Sequence, residues 1–229
     1  MTTFSKRKTL MQSLFNQEKL YSLKEAIGIL TKNYAEKCKV KFDETFEIAI
    51  KTAINTQKNE TVKGSIVLPN GTGKQVKIGV FAEGEDAKIA AALGAEILTV
   101  ESVKAGNTNF DACIATPDIM PKLGSVAKIL GPRGLMPNPK LGTVTKDLTK
   151  IIKELAAGRV EFRSDKQGNV NLGVGKLSFD ATKLEENIIA LLQAVKLAKP
   201  VTTKGTYIVS IALSSTMGVG VRISLEGLN

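Results

Sequence analysis

The pattern of strand and helix signals changes twice along the chain, close to Pro69 and close to Gly158, and this change constrains the fold most. Between the two points strand-like runs alternate with helical runs, an order typical of a parallel sheet covered by helices. Outside them the strands return to hairpin-like spacing. The sequence therefore predicts an α/β protein of two domains: an α+β domain formed by both chain ends (residues 1–68 and 159–229) and an inserted Rossmann-like α/β domain (residues 69–158).

Local signals predict the elements of the terminal domain. Ser22 and Glu25 have the spacing of a capping box, which predicts a helix over about 22–33. The segment FDETFEIAIKTAI alternates with period two, so Phe46, Ile48 and Ile50 are expected on the buried face of a strand. The remaining predictions are a strand at 64–68, strands at 159–163 and 169–174 joined by a turn at 165–168, a long helix that opens with a second capping box at Thr182 and Glu185 and ends before Pro200, and final strands at 206–213 and 219–225.

The inserted segment carries the alternating signals. Strands are predicted at 76–82, 97–100 and 112–116, and helices at 86–93, 119–130 and 148–157. Gly158 follows the last of these helices, as a carboxyl-terminal cap would.

Charge points to a polyanionic partner. Lys and Arg number 32 against 22 Asp and Glu, which gives a net charge of +10. Residues 1–65 hold 12 basic and 7 acidic side chains, and residues 160–229 hold 8 and 6. Nucleic acid is the first partner to test, although a basic surface also serves solubility alone. No apolar run approaches the length of a spanning helix, so no membrane partner is expected.

Several kinds of catalytic site are excluded by composition. The chain has no His, and its two cysteines, Cys38 and Cys113, form no CxxC pair. This rules out zinc sites, His-based acid–base catalysis and Ser-His-Asp or Cys-His arrangements. Cys113 lies in an apolar run and is expected to be a small buried thiol. We expect no catalytic residue, no metal ligand and no cofactor.

Two loop motifs have separate interpretations. The segment Asn70–Lys74 (NGTGK) resembles a phosphate-binding loop but has Leu68 and Gln75 where the Walker pattern requires Gly and Ser or Thr, so it is interpreted as a turn linking strands. The segment GPRGLMPNPKLGTVT at 131–145 cannot be helix or central strand because of its prolines. Composition leaves a ligand-binding loop and a structural corner equally open, with Arg133 and Lys140 as its basic residues.

The second motif, taken with other segments in order, closely resembles the bacterial type of the L-one family of large-subunit ribosomal proteins. The other segments are KFDETFEI at 41–48, LPNGTGKQVKIGVFA at 68–82, NFDACIATPDIM at 109–120, FRSDKQG at 162–168, GKLSF at 175–179 and SSTMGVGV at 214–221. The resemblance implies a non-enzymatic protein that binds a folded junction of large-subunit rRNA. It further implies a mobile stalk beside the tRNA exit site that assists release of deacylated tRNA, with repression of its own message as an additional role.

The resemblance also implies the contact residues. They are Lys41, Phe42, Thr45 and Glu47 on the first strand, Arg163, Asp165 and Lys166 at the hairpin, and Ser215, Thr216, Met217 and Gly218 before the last strand. Basic side chains neutralise phosphates, hydroxyls reach ribose, and Phe and Met offer apolar surface to sugars and bases. Other roles stay open at this point: core for Phe42, solvation or support of a neighbouring basic residue for Glu47 and Asp165, and a plain turn edge for Met217.

Two functional alternatives come from other classes of protein. One is a nucleotide-using α/β enzyme built on residues 69–158, and the other is an RNA chaperone or translational regulator that acts off the ribosome. Compartment is predicted from composition: 27 of the 32 basic residues are Lys, which suggests an AT-rich coding sequence, and no presequence is evident. Together these favour a protein encoded within the mitochondrion, with bacterial cytoplasm and plastid as alternatives.

Overall fold

The computed structural model describes residues 16, 18–34, 40–54, 60–106, 108–139, 142–145, 147–203 and 205–225. The amino-terminal stretch through Phe15, together with Cys38 and Lys140, lies outside them. The described residues form two compact units: the first runs to Gly73 and resumes at Val160, and the second is Lys74–Arg159. In the described part of the chain, none of the helices is long and apolar enough to cross a membrane.

The first division falls at Gly73, five residues after the predicted boundary, because a buried side chain holds the connecting loop. Asn187 is completely buried, and its Oδ1 accepts a hydrogen bond from the Asn70 amide at 3.1 Å. Its Nδ2 donates to the carbonyls of Gly71 at 3.0 Å and Val174 at 2.8 Å. The loop that resembled a phosphate-binding motif is thus tied to the first unit as a structural turn.

The first unit consists of a four-stranded sheet, a two-stranded pair and two principal helices. Its elements are α1 (Leu23–Gly28, continued by a π-helical turn over Ile29–Tyr34), β1 (Thr45–Thr52), β2 (Lys63–Val67), β6 (Arg159–Arg163, whose first residue belongs to the second unit), β7 (Asn169–Lys176), α7 (Ala181–Leu197), β8 (Ile208–Ser215) and β9 (Val221–Ile223). The sheet has the order β7-β1-β8-β9 and its strands are antiparallel.

The predicted alternation of β1 is confirmed. Phe46, Ile48 and Ile50 are buried, and each is paired across the ladder with a buried residue of β8. This face of the sheet packs on apolar residues of α1 and α7, so one core joins the two ends of the chain. The buried residues of α7 are Leu184, Asn187, Ile188, Leu191, Leu192 and Val195.

One of the two predicted capping boxes exists. Before α1, the Ser22 hydroxyl accepts from the Glu25 amide, and the Glu25 carboxylate accepts from the Ser22 amide. The capping box at Thr182 is wrong, since α7 begins at Ala181 after an extended Asp180, so Thr182 already lies inside the helix.

The predicted hairpin between β6 and β7 is also wrong, although its turn is present. Strand β6 pairs with β2, and the two predicted partners share one isolated bridge, Ser164 with Val170, within the described residues. The Ser164 amide donates to the Val62 carbonyl at 2.8 Å, and its hydroxyl accepts from the Val62 amide at 2.9 Å. These bonds continue the pairing of β6 with the β2 side of the unit past Arg163.

The second unit has a three-stranded parallel sheet in the order β4-β3-β5. Its elements are β3 (Ile78–Phe81), α2 (Glu85–Ala92), β4 (Glu96–Ile97), α3 (Val100–Lys104), β5 (Ala112–Ala115), α4 (Met120–Leu123), α5 (Ala127–Leu130) and α6 (Leu148–Ala156), with 3-10 turns at Pro117–Ile119 and Gly124–Val126. Two apolar clusters take opposite faces of β3: Ile78 and Val80 belong to one, and Phe81 to the other. The predicted class of α/β fold is confirmed.

Two predictions within this unit need correction. The strand expected at 97–100 is shorter, because Thr99 caps α3: its hydroxyl accepts from the Ser102 amide at 3.2 Å. The single helix expected at 119–130 is broken into short α and 3-10 segments, with Pro121 in the first turn of α4. Proline has no amide hydrogen to donate, which interrupts a continuous helical ladder.

Candidate nucleic-acid interface

Two of the three predicted contact segments meet at one end of β1. The Thr45 amide donates to the Thr216 hydroxyl at 2.9 Å, and the Thr216 amide donates to the Thr45 carbonyl at 3.1 Å. The link joins positions 171 residues apart. We call the segments Phe42–Thr45 and Ser215–Gly218 together the contact platform.

The platform exposes two large apolar side chains. Phe42 is 54% exposed and Met217 is 53% exposed, so neither is a core residue. Lys41 and Phe42 precede β1, which begins at Thr45, rather than lying on the strand as the sequence predicted. Lys41 and Thr216 are also exposed. Exposed apolar surface beside a basic side chain suits an RNA partner better than it suits water alone.

A buried carboxylate lies beneath this exposed surface. Glu44 is 1% exposed, and its Oε2 accepts hydrogen bonds from Ser215 Oγ at 2.5 Å and from the Met217 amide at 3.0 Å. Sequence reasoning missed Glu44. A signal was present, because Glu44 has the same parity as Phe46, Ile48 and Ile50 in the alternation of β1.

Two residues of the predicted contact set have supporting roles in the platform. Ser215 is 2% exposed, and its hydroxyl points to Glu44 instead of to the surface, since it continues the buried face of β8. A Cβ at Gly218 would overlap the Ser215 hydroxyl. The glycine is therefore required by the packing of the turn, whatever access it also gives to a ligand.

Neighbouring polar contacts hold the Phe42 side of the platform. The Asp43 carboxylate accepts from the Ser178 hydroxyl at 2.7 Å and from its amide at 3.3 Å. Lys176 Nζ donates to the Asp43 carbonyl at 3.3 Å and to Thr45 Oγ1 at 3.2 Å. Composition offered no signal for these contacts, which depend on the pairing of β1 with β7.

The third predicted segment, Arg163–Lys166, lies at the other end of β1. Arg163 and Lys166 are exposed and line an open cavity of 830 Å³. The cavity is also lined by Glu60, Thr61, Ser164, Asp165, Asn169 and Asn171. Since Asn169 pairs with Lys51, six residues along the strand from Thr45, the turn and the platform are about 20 Å apart.

Asp165 organises the turn between the two basic residues. Its Oδ1 accepts from the amides of Asn169 at 2.7 Å and Gln167 at 2.8 Å, and its Oδ2 accepts from Asn169 Nδ2 at 3.1 Å. These bonds, the Asn169 amide first, hold the pKa of the Asp165 carboxyl below its ordinary value. Its role in the structure is to shape the turn that presents Arg163 and Lys166.

A second cavity lies between the turn and the platform. It has a volume of 360 Å³ and is lined by Glu47, Asn171 and Ser214, among others, and Asn171 lines both cavities. Glu47 is half-buried and pairs with Ser214 on one side and Gly173 on the other. Small side chains around Glu47 leave this part of the sheet open to a flat ligand.

Two described residues of the second unit that carry reactive or charged groups, Cys113 and Lys74, are held in structural contacts. Cys113 is buried as predicted, and burial raises the pKa of its thiol to about 12, so it is a poor nucleophile. Lys74 of the former phosphate-loop candidate forms an ion pair with Asp111 at 2.6 Å. Among the residues that the structure describes, no cluster of His, Cys, Asp and Glu could hold a metal ion.

The described residues of the Pro/Gly-rich segment have the contacts of a structural corner. Pro137 is buried, and Thr143 Oγ1 accepts from the Asn138 amide at 2.8 Å, which closes the loop on itself. The chain then runs beside β5: the Ala115 amide donates to the Thr143 carbonyl, and Val144 forms a parallel bridge with Ala115. The buried Pro137 and the bonds of Thr143 thus belong to a turn that returns the chain to the sheet.

Comparison with known proteins identifies the family. The sequence profile of the ribosomal protein L1p/L10e family matches residues 32–219. The large ribosomal subunit protein uL1 of Paraburkholderia phymatum is 48% identical over 228 residues, covering 97% of both chains. The uL1 protein of Burkholderia vietnamiensis is 46% identical over 97% of both chains, and that of Polynucleobacter necessarius is 45% identical over 100% of this chain and 98% of its own.

These relatives are bacterial, which does not support the mitochondrial compartment predicted from composition and favours a bacterial one. Nor do they support the nucleotide-using enzyme considered from sequence, because their shared name denotes a structural protein rather than an enzyme. The extent of the profile match and the identity over nearly whole chains lead to one conclusion. This chain belongs to the ribosomal protein L1p/L10e family.

Proposed function

We propose that this protein is a structural component of the large ribosomal subunit and that its first unit binds large-subunit rRNA. The contact surface runs from the platform, across the cavity at Glu47 and Asn171, to the turn at Arg163–Lys166. The observation that carries the proposal is the pair of half-exposed apolar side chains, Phe42 and Met217, on a hydrogen-bonded support beside basic residues.

The surface has the chemistry that folded RNA requires. Lys41, Arg163 and Lys166 are placed to neutralise phosphates. The exposed Thr216 hydroxyl bonds to the Thr45 backbone and keeps one lone pair that can accept a hydrogen bond from a ribose 2′-OH. Phe42 and Met217 offer apolar contact to sugars and base faces. With about 20 Å between its two ends, the surface is too long for a single nucleotide and suits two contacts on one structured RNA.

The finer parts of the proposal rest on family membership. We propose that the bound rRNA junction forms a mobile stalk beside the tRNA exit site. There the protein contacts exit-site tRNA and assists release of deacylated tRNA. Binding of its own message would use the same surface, since a message that mimics the rRNA junction presents the same phosphates and sugars.

Filter binding with the full chain tests the central proposal. The probe is the stalk-junction fragment of large-subunit rRNA, and the control is an unrelated duplex of equal length, both titrated at one salt concentration. We expect the rRNA fragment to bind at least about a thousandfold more tightly, as specific nucleic-acid sites do. Equal affinity for both RNAs, or calorimetric binding of ATP or GTP without RNA specificity, would contradict the proposal.

Competition separates the role in repression from ribosomal binding. The leader of the protein's own message is titrated against the labelled rRNA fragment. A message that binds this surface displaces the fragment completely, and Met217→Asp weakens both RNAs together. A leader that never displaces the fragment would remove repression from the proposed function while leaving rRNA binding in place.

A further inference from the structure

The platform contains a charged side chain that no contact role explains. Glu44 lies between the exposed Phe42 and the strand β1, yet its own side chain is almost completely buried. Burial removes a carboxylate from water at a high cost unless protein donors replace the missing hydrogen bonds. Here the Ser215 hydroxyl and the Met217 amide supply two of them.

Both donors belong to the turn that carries Met217. Hydrogen bonds to a carboxylate are shorter and stronger than neutral ones, so they restrict the turn more than a neutral acceptor would. The second bond comes from the backbone amide of Met217 itself, so it fixes the position from which the Met217 side chain extends. The separations in sequence, 171 and 173 residues, show that these bonds join distant parts of the chain.

Other contacts make this arrangement a single rigid unit. The reciprocal bonds between Thr45 and Thr216 lie next to the Glu44 bonds, and Gly218 leaves room for the Ser215 hydroxyl to reach the carboxylate. On the other side, Asp43 is held by Ser178. Phe42 and Met217 therefore stand on two segments that cannot move independently while Glu44 keeps its partners.

We propose that Glu44 is a positioning residue for rRNA recognition. Without contacting RNA, it fixes the Met217 turn relative to the Phe42 segment, so that the two apolar side chains meet the RNA in one arrangement. A surface that is ordered before binding loses less conformational entropy on binding and rejects RNAs of another shape. The inference rests on the proposed function, rRNA binding, and makes Glu44 responsible for the dependence of that binding on RNA shape.

A double-mutant cycle on the full chain tests the inference. Glu44→Ala, Met217→Ala and the double variant are titrated with the rRNA stalk-junction fragment and with the unrelated duplex. We expect Glu44→Ala alone to weaken binding to the fragment about tenfold or more. In the Met217→Ala background the same change should cost less than about threefold, because the side chain that it positions is already gone. Binding to the duplex should stay unchanged.

Further variants separate positioning from folding. Glu44→Gln keeps the shape and one acceptor oxygen, so it should retain most of the affinity for the rRNA fragment. If Glu44→Ala does not fold, Ser215→Ala carries the test: it removes one donor to Glu44, so it should weaken binding to the fragment, and it should do so less in the Met217→Ala background. Glu101→Gln, on the exposed side of α3, makes the same change of charge and should leave affinity unaltered. Circular dichroism checks the fold, and amide hydrogen exchange at Met217 should become faster in Glu44→Ala.

The outcomes distinguish the inference from the function on which it rests. If the wild-type protein does not prefer the rRNA fragment, the proposed function fails. If the wild type prefers it but the Glu44 and Met217 changes are additive, or Glu44→Ala binds as tightly as wild type, Glu44 has no positioning role. Equal losses on the fragment and the duplex would also overturn the inference.

Discussion

Two loops of this protein have unusual sequences, and the structure uses them in different ways. In the segment 131–139, Leu135 and Met136 are half-buried against the core of the second unit, and Pro137 is buried. In the segment 215–218, Met217 is exposed while polar groups beneath it are buried and bonded. One loop turns its apolar residues inward, and the other turns them outward on a polar support.

These loops show that a distinctive motif predicts an unusual backbone and does not by itself establish a contact with a partner. Proline and glycine are needed wherever a chain turns sharply, whether or not a ligand binds there. A large apolar side chain that stays exposed on a rigid support is a more specific sign of a binding surface. Four predictions test this difference between the two loops and their units.

The largest effect is expected from Met217→Asp. It places a negative charge against phosphates at an exposed position, so specific binding of the rRNA fragment should weaken by about 2 kcal/mol or more. The fold should persist, because the side chain is outside the core. The matched control is Met136→Ala, which should lower the free energy of unfolding by about 1 to 2 kcal/mol and leave RNA affinity unchanged. Paired titrations and denaturant melts measure both, and a loss of affinity in the control would remove the distinction.

Glycine substitutions should separate packing from backbone strain. Gly218→Ala forces a methyl group into the Ser215 hydroxyl, and we expect a loss of about 1 to 3 kcal/mol in stability, accompanied by weaker specific binding. Gly134 has φ 71° with open space around it, so Gly134→Ala should cost only about 1 to 2 kcal/mol of stability through its left-handed backbone. If Gly218→Ala binds the rRNA fragment normally, the turn does not need its observed shape.

The basic residues should be distinguished by salt dependence. The slope of log K against log salt is negative for a protein that neutralises phosphates. Replacing Lys41, Arg163 or Lys166 by Ala should reduce the magnitude of this slope by roughly 0.7 to 0.9 for each phosphate that is no longer neutralised. Lys150→Ala on α6 removes an exposed charge in the second unit and should leave the slope unchanged. An unchanged slope in Arg163→Ala and Lys166→Ala would contradict the role given to the turn.

The smallest effect concerns two aspartates, one in each unit. The pKa of Asp165 is lowered chiefly by the Asn169 amide, and the pKa of Asp111 chiefly by its hydrogen bond from Lys74. Each carboxylate therefore stabilises the fold fully at pH values above the ordinary pKa of about 3.9. This contribution disappears as the pH falls through the lowered pKa of the folded state. Added salt should raise the pKa of Asp111 and leave that of Asp165 nearly unchanged, because salt screens a cation more than a fixed amide. Titration of the carboxyl carbons by NMR at two salt concentrations measures this, and equal salt shifts would show that the two causes are not distinct.

Much of the fold could be predicted from local patterns. The alternation of Phe46, Ile48 and Ile50, the capping box at Ser22 and Glu25, and the turn at 165–168 each depend on residues a few positions apart. The candidate site was predictable only as a set of segments. Through the resemblance the sequence indicated Phe42, Met217, Ser215 and Gly218, whose contacts with RNA stay predictions. It did not indicate that Ser215 bonds to Glu44 or that Gly218 leaves room for that bond.

The order of the amino acids is enough to define many local features: the alternation of β1, the cap of α1, the absence of His chemistry, and the burial of Cys113. The folded chain was needed to establish that β6 pairs with β2, that Asn187 holds the Asn70 loop, and that Glu44 lies beneath Met217. The two kinds of feature differ in the range of the interactions behind them. Propensity, periodicity and capping act through neighbours within a turn or a strand, whereas a buried polar group finds its partners only after sheet register brings residues more than a hundred positions apart to hydrogen-bonding distance.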